Sequence, residues 1–330
     1  MKSPMRRRAV LALALALAAL SAVGVRAQAF PSKPLTLVVP YPAGGPADVT
    51  ARQMLPSLRK TLGQAVIVDN VAGASGALGI QKLLNAPADG HHFLMGTPSD
   101  VILAPLAMST VKHKPEQMRL LGLASRAPLV LVSGQQSPSR NLEDLLAEAR
   151  KPGAKEHSFG SIGPGSLYHL VGEDFATRMK LRMIHVPYKG MAPLLQDVMG
   201  GVVDFAFLPS AGNLADLISQ GKLRAYAVTN ARRLARLPEV PTIAQATGLK
   251  DFEYEIWGGL FVPRAVPAAV SERLYAVVKL AQQDPDFRAQ IETTGAAPGN
   301  PMSLADAERF LDDQTTRYRR LAQAVKLEPQ

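Results

Sequence analysis

The sequence predicts an α/β protein, because candidate strands alternate with candidate helices along nearly the whole chain. The first strand candidate, 35–39, is a continuous apolar run, which is typical of a strand buried on both faces of a sheet. It leads into a glycine-rich turn at 41–48 and then into an amphipathic run that begins at residue 47. After the leader described below, about 300 residues remain, enough for two domains of ordinary size.

The predicted elements follow one another in a regular order, with largely parallel sheets expected. The strand candidates are 35–39, 65–69, 92–96, 119–124, 128–133, 156–161, 183–186, 203–207, 223–228 and 256–262. The helix candidates are 47–61, 76–86, 99–107, 141–150, 165–179, 190–199, 211–220, 267–282, 284–293 and 303–325. Apolar spacing of three and four residues predicts that the first and last helices each bury one face. The residues of these faces are Ala51, Met54, Leu55, Leu58 and Leu62, and Leu304, Ala307, Leu311, Tyr318, Leu321 and Val325.

The chain begins with a pattern typical of secretory leaders. A basic start, Lys2 to Arg8, precedes an apolar run at 9–24, and Val25–Ala27 fits the small-x-small rule for cleavage. We therefore predict that residues 1–27 are a signal peptide and that the mature protein is periplasmic. An uncleaved membrane anchor is the alternative, although the run is short for a span of about 20 residues. Arg7 and Arg8 leave both Sec and twin-arginine export open.

Charge and cysteine content narrow the function classes. The formal net charge is +10, and the leader carries five basic residues and no acid, so the mature chain is at +5. This balance favours small anions by electrostatic steering and lacks the dense basic stripe that nucleic acid requires. The chain has no cysteine, which excludes disulfides, thiol catalysis and thiolate metal binding.

The glycine-rich turn predicts an anion site. Gly44 and Gly45 permit a tight turn, and Pro46 suits the first helical position. The free amides of 47–49 would then point outward, backed by the positive end of the helix dipole.

Two further apolar runs are candidates for crossings between domains. They are Leu120–Ala124 and Leu223–Thr229. Two crossings give one discontinuous domain and one inserted domain, with a ligand cleft between them. We expect the first lobe to comprise 28–124 and 229–330, and the second lobe to comprise 125–228.

A series of motifs carries a family resemblance over essentially the whole mature chain. They are Lys33–Asp48, Leu62–Gln64, Asp69–Asn70, Gly73–Gly76, Asp89–Gly90, Leu94–Thr97, Gly160–Leu170, His185–Gly190, Gly200–Gly201 with Asp204, Gly221–Ala225, Leu237–Thr242 and Trp257–Pro263. In this order, behind a leader, the chain resembles the solute receptors of tripartite tricarboxylate transporters, often called Bug-type receptors. The resemblance implies a type II periplasmic-binding-protein fold, with two α/β lobes around a hinged cleft. It also implies capture of a small carboxylate without catalysis, and delivery to the transporter's membrane subunits. We expect a monomer without cofactor or metal.

The resemblance also implies two anchor loops, Tyr41–Asp48 in the first lobe and Ser161–Ser166 in the second. The candidate ligand-binding residues are Tyr41, Ala43, Gly44, Gly45, Ala47, Asp48, Thr97, Ser99, Asp100, Ser161, Gly163, Gly165, Ser166 and His169. Neither loop contains Arg or Lys, so we expect backbone donors, helix dipoles and water to hold the anion, with weak salt dependence. Accordingly, Gly45→Val should weaken binding at least tenfold, and Lys189→Ala should matter much less.

Several of these residues also have a purely structural interpretation. Asp48 can satisfy amides in the first helical turn. Ser161 and Ser166 can cap helices, and His169 can be a structural histidine. Asp100 either caps the next helix or faces the cleft, where it would favour a ligand with an amine or amide donor.

Three positions depart from the family pattern. Pro46 and Ala47 replace a small polar residue and a threonine, which costs a hydroxyl and an amide donor. Pro164 stiffens the second loop and removes another donor, and Asp100 stands where a neutral residue is expected.

Other function classes are less well supported by the sequence. Phe159 stands where a serine hydrolase elbow requires glycine, and His91, His92 and His113 lack metal-ligand spacing. A transcription factor of this fold would begin with a helix-turn-helix, where this chain has a leader. A periplasmic partner that reports ligand to a membrane signalling kinase stays open as the alternative to transport.

Overall fold

The computed structural model describes residues 30–151, 153 and 155–327 of the chain. The predicted signal peptide, 1–27, lies outside these residues. All helices and strands given below belong to the unit that begins at Lys33.

The strands agree closely with the predicted positions. They are β1 (Leu35–Val39), β2 (Val66–Asn70), β3 (His92–Gly96), β4 (Met118–Gly134), β5 (His157–Ser161), β6 (Met183–Pro187), β7 (Phe205–Pro209), β8 (Leu223–Val228), β9 (Glu255–Pro263) and β10 (Ala297–Pro298). The two predicted strands at 119–124 and 128–133 are one strand of 17 residues, β4. The two-residue strand β10 was not predicted.

The helices also fall where apolar periodicity places them. They are α1 (Pro46–Leu62), α2 (Ala77–Asn85), α3 (Ala104–Ala107), α4 (Leu142–Ala149), α5 (Leu167–Met179), α6 (Met191–Gly200), α7 (Leu214–Ser219), α8 (Ile243–Thr247), α9 (Ala268–Gln283), α10 (Pro285–Thr293) and α11 (Leu304–Ala324). Short 3₁₀ turns lie at Ala74–Gly76 and Pro115–Gln117, and a π-helical turn at Ser99–Leu103 precedes α3. The helix α8 was not predicted, because five residues are too few for an apolar period. Among the described residues, no helix combines the length and apolar character needed to cross a membrane.

The strands form one mixed sheet around β4. The order is β2-β1-β3-β9-β4-β7-β5-β6, and β8 and β10 also pair with β4. Pairing is parallel within β2-β1-β3 and within β7-β5-β6, whereas β9 and β4 run antiparallel to their neighbours. The expectation of largely parallel sheets is therefore wrong for the centre of the sheet.

The strand β4 changes partners along its length. Its first part, 118–128, pairs with β9, and its last part, 129–134, pairs with β7 and β8. Pro128, which has no amide hydrogen, lies where the partner changes, and its carbonyl accepts from Ser210 N at 2.8 Å. We call β1–β3, β9, β10 and the start of β4 the first strand group, and β5–β8 with the end of β4 the second strand group.

The core follows from the predicted apolar faces. β1 is buried along its length except for the half-buried Thr36, as expected of a strand covered on both faces. The predicted face of α1, Ala51 to Leu62, is buried, and α1 packs on α9 and α10. The last helix, α11, buries Ala307, Leu311 and Tyr318, and it packs on β4 and reaches α5. This helix therefore contacts β4, which both strand groups share, and α5, which connects β5 to β6 of the second strand group.

Candidate functional site

The turn between β1 and α1 is held by Asp48. Its Oδ2 accepts from Gly44 N at 2.8 Å and from Arg52 Nε at 2.9 Å, while Oδ1 accepts from Asn70 Nδ2 at 2.9 Å. Burial alone would raise the pKa of Asp48, but the hydrogen bonds from Arg52, Gly44 and Asn70 outweigh it and hold the pKa below its ordinary value. The carboxylate is 2% exposed, and its hydrogen bonds from Gly44 and Asn70 are those expected if Asp48 stabilises the turn.

The two glycines of this turn differ in what they require. Gly44 has φ +79°, a left-handed conformation that disfavours side chains, whereas Gly45 is the N-cap with an extended φ of −75°. A methyl group on Gly45 would lie 3.3 Å from the Pro42 carbonyl oxygen, so a side chain there requires the neighbouring backbone to shift by a few tenths of an ångström. Gly44 therefore serves the turn through its backbone conformation, and Gly45 serves it by leaving room beside the Pro42 carbonyl.

Fewer amides of this turn are available than the sequence suggested. Gly44 N donates to Asp48, Gly45 N donates to Pro42 O at 3.4 Å, and Val49 N donates to Gly45 O at 2.9 Å. Pro46 is at the first helical position, as predicted. The first-turn amides left for a ligand are therefore those of Ala47 and Asp48.

Asp100 is buried beneath the wall of the site. It is 0% exposed and accepts at Oδ2 from Tyr41 OH and from Thr97 Oγ1, each at 2.7 Å, and from Thr97 N at 3.0 Å. Burial raises its pKa to about 7, although the hydrogen bonds from Tyr41 and Thr97 oppose this. The Tyr41 pKa lies well above its usual value, first because the ring is buried and then because Asp100 is close. The tyrosine therefore keeps its proton and donates it to the carboxylate.

The second predicted anchor loop, 161–166, is stabilised by its own side chains. Ser166 caps α5 by accepting from His169 N at 3.3 Å, and Ser161 Oγ lies 2.7 Å from His185 Nε2. His169 Nδ1 accepts from Gly165 N at 3.3 Å, and its ring stacks on that of His185 with centroids 3.9 Å apart. Burial, followed by the neighbouring His169, lowers the pKa of His185 to about 3, so this ring is neutral.

This loop and the start of α5 pack directly on the turns at Ala74–Gly76 and Ser99–Leu103 and on α3. Leu167 N donates to Ser99 Oγ at 3.0 Å, and Ser75 Oγ donates to the Pro164 carbonyl at 2.6 Å. A side chain on Gly165 would clash with Ala107, which lies 2.7 Å from the position of its Cβ. The loop is therefore a contact between the two strand groups, and Ile162 is its residue in the cavity wall.

A cavity of about 680 Å³ lies beside these elements, a size in the range of small-molecule sites. Seven of the predicted ligand-binding residues line it, namely Tyr41, Ala43, Gly44, Gly45, Ala47, Thr97 and Ser99. The other seven do not line it, namely Asp48, Asp100, Ser161, Gly163, Gly165, Ser166 and His169. The structure thus brings most of the first anchor loop to the cavity and, of the second loop, Ile162.

The wall on the side of the second strand group comes instead from α6 and from the segment before α7. Lys189, Gly190 and Met191 at the start of α6 line the cavity, as do Leu208 and Asn213. A methyl group on Gly190 would lie 3.3 Å from Pro42 Cγ, so the starts of α1 and α6 approach each other closely. The sequence left Lys189 open between a turn role and binding, and it was not counted among the ligand-binding residues; its place in the cavity wall favours binding over the turn role. The signal that could have found it is a strand, β6, followed by a glycine that opens a helix, as at α1.

The histidines do not form a metal site. His113 Nε2 bonds the Asp100 carbonyl at 2.8 Å, and no group of three or more His, Cys, Asp or Glu side chains suited to a metal occurs in the described part of the chain.

Solved structures define the class of protein to which this fold belongs. The periplasmic binding protein BugD is 30% identical, with a TM-score of 0.82 over 91% of this chain and 100% of that one. A structure described as R. palustris Rpa4515 with adipate is also 30% identical, with a TM-score of 0.84 and the same coverage of both chains. The fold is therefore that of a periplasmic binding protein, with two α/β lobes around a ligand cleft.

Sequence relatives identify the family. Residues 50–327 match the tripartite tricarboxylate transporter family receptor. A protein of Pseudomonas sp. (strain P51), described as the UPF0065 protein in the tcbD-tcbE intergenic region, is 36% identical over 324 residues, 98% of this chain and 95% of that protein. The chain belongs to the tripartite tricarboxylate transporter receptor family, whose members are solute-binding receptors and not enzymes.

Proposed function

We propose that this protein captures a small carboxylate between its two lobes and delivers it to the membrane subunits of a tripartite tricarboxylate transporter. The observation that carries the proposal is the convergence of two helix starts and one cation on a single cavity. The first turns of α1 and α6 both line the cavity, and Lys189 precedes Gly190, the N-cap of α6. Helix starts present free amides and a positive dipole end, which favour a carboxylate.

We propose lobe boundaries from the pairing of the sheet. The first lobe comprises 28–124 and 229–330, and the second comprises 125–228. The change of partners in β4 supports a first crossing within this strand, because residues through Pro128 pair with β9 and residues from Leu129 pair with β7 and β8. This exchange lies four residues after the proposed boundary at 124. The segment between β8 and β9 supports the second crossing, since β8 pairs with the end of β4 alone.

We propose that residues 1–27 are a cleaved signal peptide and that the mature, monomeric protein works in the periplasm. The basic start, short apolar run and Val25–Ala27 support cleavage after Ala27. Amino-terminal sequencing of the protein from the periplasmic fraction should give Gln28. Recovery of intact Met1 on membrane-bound protein would contradict export and cleavage.

Native mass spectrometry of the protein as purified tests ligand capture. We expect a mass increment that disappears after denaturation and refolding and returns on addition of a carboxylate that calorimetry shows to bind. A folded protein that binds no mono-, di- or tricarboxylate would refute the proposal. We expect the protein to copurify with transporter membrane subunits. Copurification with a kinase sensor domain instead would establish the signalling alternative.

A further inference from the structure

We propose that Gly258 and Tyr168 determine which carboxylates this protein accepts. Gly258 opens a recess in the floor of the cavity for an extended apolar body, straight or cyclic, and Tyr168 donates a hydrogen bond to the solute. A compact acid such as propanoate or malonate leaves this recess unfilled. The inference rests on the proposed function, because it assigns the chemical class of the carboxylate that the same cavity takes.

The floor of the cavity is one face of the strands β3, β9 and β4, which lie side by side in the sheet. Side chains two residues apart along a strand share a face. The residues of this face that line the cavity are Met95 on β3, Ile256 and Gly258 on β9, and Ser125 and Ala127 on β4. The pairing of β4 with β9 places Ser125 directly opposite Gly258. Small residues therefore meet in the floor and form a recess, which we call the floor recess.

The neighbouring glycines Gly258 and Gly259 of β9 serve opposite faces of the sheet. A Cβ on Gly259 would lie 2.7 Å from Cδ1 of the buried Leu120, so a side chain there forces the core to move. A Cβ on Gly258 would lie at ordinary contact distances, 3.5 Å from Met95 Sδ and 3.6 Å from Ser125 Oγ. Its backbone φ is not positive either. Neither packing nor conformation therefore requires glycine at 258. A glycine inside a strand often marks the close approach of a ligand, and this one faces the cavity.

An independent observation at Tyr168, on α5, points to a solute in the same cavity. Tyr168 lines the cavity and is 4% exposed, yet its hydroxyl forms no hydrogen bond with another described residue, and its oxygen is not enclosed by protein. Tyr41, the other tyrosine of the wall, instead donates to Asp100 at 2.7 Å. A buried hydroxyl is costly to leave without a partner. We therefore expect an oxygen of the solute to accept from Tyr168.

The floor recess favours an apolar body because Met95 and Ile256 border it. A solute that covers these side chains removes apolar surface from water, and the gain grows with the area covered. The number of carboxyl groups is not limited by this arrangement. Carboxylates are received at the other wall of the cavity, where the helix starts of α1 and α6 supply amides and Lys189 supplies a cation.

Two series of acids with constant carboxyl count test the solute class. Ligand-free, refolded protein is titrated by calorimetry with propanoate, hexanoate and benzoate, and with malonate, adipate and terephthalate. In at least one series we expect an extended acid to bind about tenfold more tightly, or better, than the compact acid, because each buried methylene adds to affinity. Compact acids that bind as tightly as the extended ones in both series would overturn the inference and leave the proposed function intact. Failure of every mono-, di- and tricarboxylate would instead refute the proposed function.

Substitutions at the two glycines test the floor recess. Gly258→Val should weaken binding of the tightest extended acid about tenfold or more, because the side chain fills the recess, and Gly258→Ala should weaken it less. Neither should lower the free energy of unfolding of the ligand-free protein, since both residues suit a strand better than glycine does. Gly259→Ala is the matched control and should lower it, because it displaces Leu120. Unchanged affinity in Gly258→Val, or a Gly258→Ala protein as destabilised as Gly259→Ala, would overturn the assignment of Gly258.

Substitutions at two tyrosines test the hydrogen bond to the solute. Tyr168→Phe removes only the hydroxyl, so we expect weaker binding of the same acid and no loss of stability in the ligand-free protein. Tyr226→Phe is the control, because the Tyr226 hydroxyl donates to the Ser139 carbonyl at 3.0 Å, away from the cavity. It should lower the free energy of unfolding and leave affinity unchanged. A Tyr168→Phe protein that binds as tightly as the wild type would overturn the assignment of Tyr168.

Discussion

At the scale of single residues, Asp100 is the unusual group of the site, because it is an acid buried with hydroxyl and amide donors and without a cation. Three donors from Tyr41 and Thr97 partly replace the water that it loses. Burial still dominates and raises its pKa to about 7. Since an exposed Asp titrates near pH 3.9, Asp100 stabilises the fold fully below about pH 4 and loses this contribution as the pH rises through about 7.

We expect Asp100→Asn to remove this pH dependence. The free energy of unfolding of the wild type should fall relative to that of the variant between pH 4 and pH 8, by on the order of 4 kcal/mol. Urea denaturation at a series of pH values measures the difference. Asp251→Asn is the matched control, because the exposed Asp251 pairs with Arg178, which lowers its pKa and gives a small dependence of opposite sign. Parallel profiles for the wild type and Asp100→Asn would show that Asp100 titrates as an exposed carboxyl does.

The two glycines of the first turn allow another matched comparison. Gly44→Ala places a side chain at φ +79° and should destabilise the protein by about 1 kcal/mol or more, whereas Gly45→Ala should cost less, because its φ of −75° suits a side chain and only the contact with the Pro42 carbonyl must be relieved. Urea denaturation of the two variants checks the order. A larger loss at Gly45 would mean that the contact with the Pro42 carbonyl, rather than backbone conformation, limits this turn.

At the scale of elements, the contact between the 161–166 loop and the Ser99 turn joins the two strand groups by side-chain hydrogen bonds. Ser99 Oγ accepts from Leu167 N, and both residues are 0% exposed. Removing the hydroxyl leaves a buried amide without its partner, which costs about 1–3 kcal/mol.

We therefore expect Ser99→Ala to lower the free energy of unfolding by that amount and to speed hydrogen exchange of the Leu167 amide. Urea denaturation and amide exchange measure the two effects. Ser219→Ala is the control, since the exposed Ser219 hydroxyl bonds only the Asp216 carbonyl within its own helix. Unchanged exchange at Leu167 would mean that water replaces the serine hydroxyl and that this contact does not hold the groups together.

The elements themselves were largely predictable because each carries a local signal. β1 is a continuous apolar run, and α1 and α11 repeat apolar residues every three or four positions, so their burial follows from periodicity. The merging of two predicted strands into β4 was not predictable, because Pro128 and its polar neighbours interrupt the apolar pattern. Only the exchange of partners at that point, from β9 to β7 and β8, explains why the strand continues.

The site was predictable on one side and not on the other. The first anchor loop lies at the cavity because a strand, a glycine and a helix start follow one another there, which is a local pattern. The 161–166 loop has the same pattern, yet it is covered by Ser75, Ser99 and Ala107, which come from distant parts of the chain. A contact between segments so far apart leaves no local signal in the sequence, so the covering of this loop could not be predicted. Lys189 and the start of α6 do follow a strand and a glycine, but they were not counted among the ligand-binding residues.

At the scale of the whole molecule, the proposed lobes share the continuous strand β4 and are also bridged by α11, which packs on β4 and reaches α5. A shared strand limits how the lobes can move, because paired backbone resists shear more than bending. We therefore expect closure by bending near residues 125–128 of β4 and in the segment between β8 and β9.

Small-angle scattering with and without a bound carboxylate tests this expectation. The radius of gyration should decrease when ligand binds, because closure brings the two lobes together over the cavity. Ser99→Ala should increase the radius of the ligand-free protein, since one bridging hydrogen bond is lost. An identical curve at saturating ligand would indicate a rigid site that fills without a change of shape.

Trp257 gives the cavity an optical property. It is the one tryptophan of the chain, it lines the cavity, and its indole nitrogen is held by Gln314. Intrinsic emission excited at the red edge of the absorption band therefore comes from a single fluorophore in the wall of the binding site. A solute that enters changes the surroundings of this ring, so occupancy can be followed in unlabelled protein by a change in emission wavelength or by quenching.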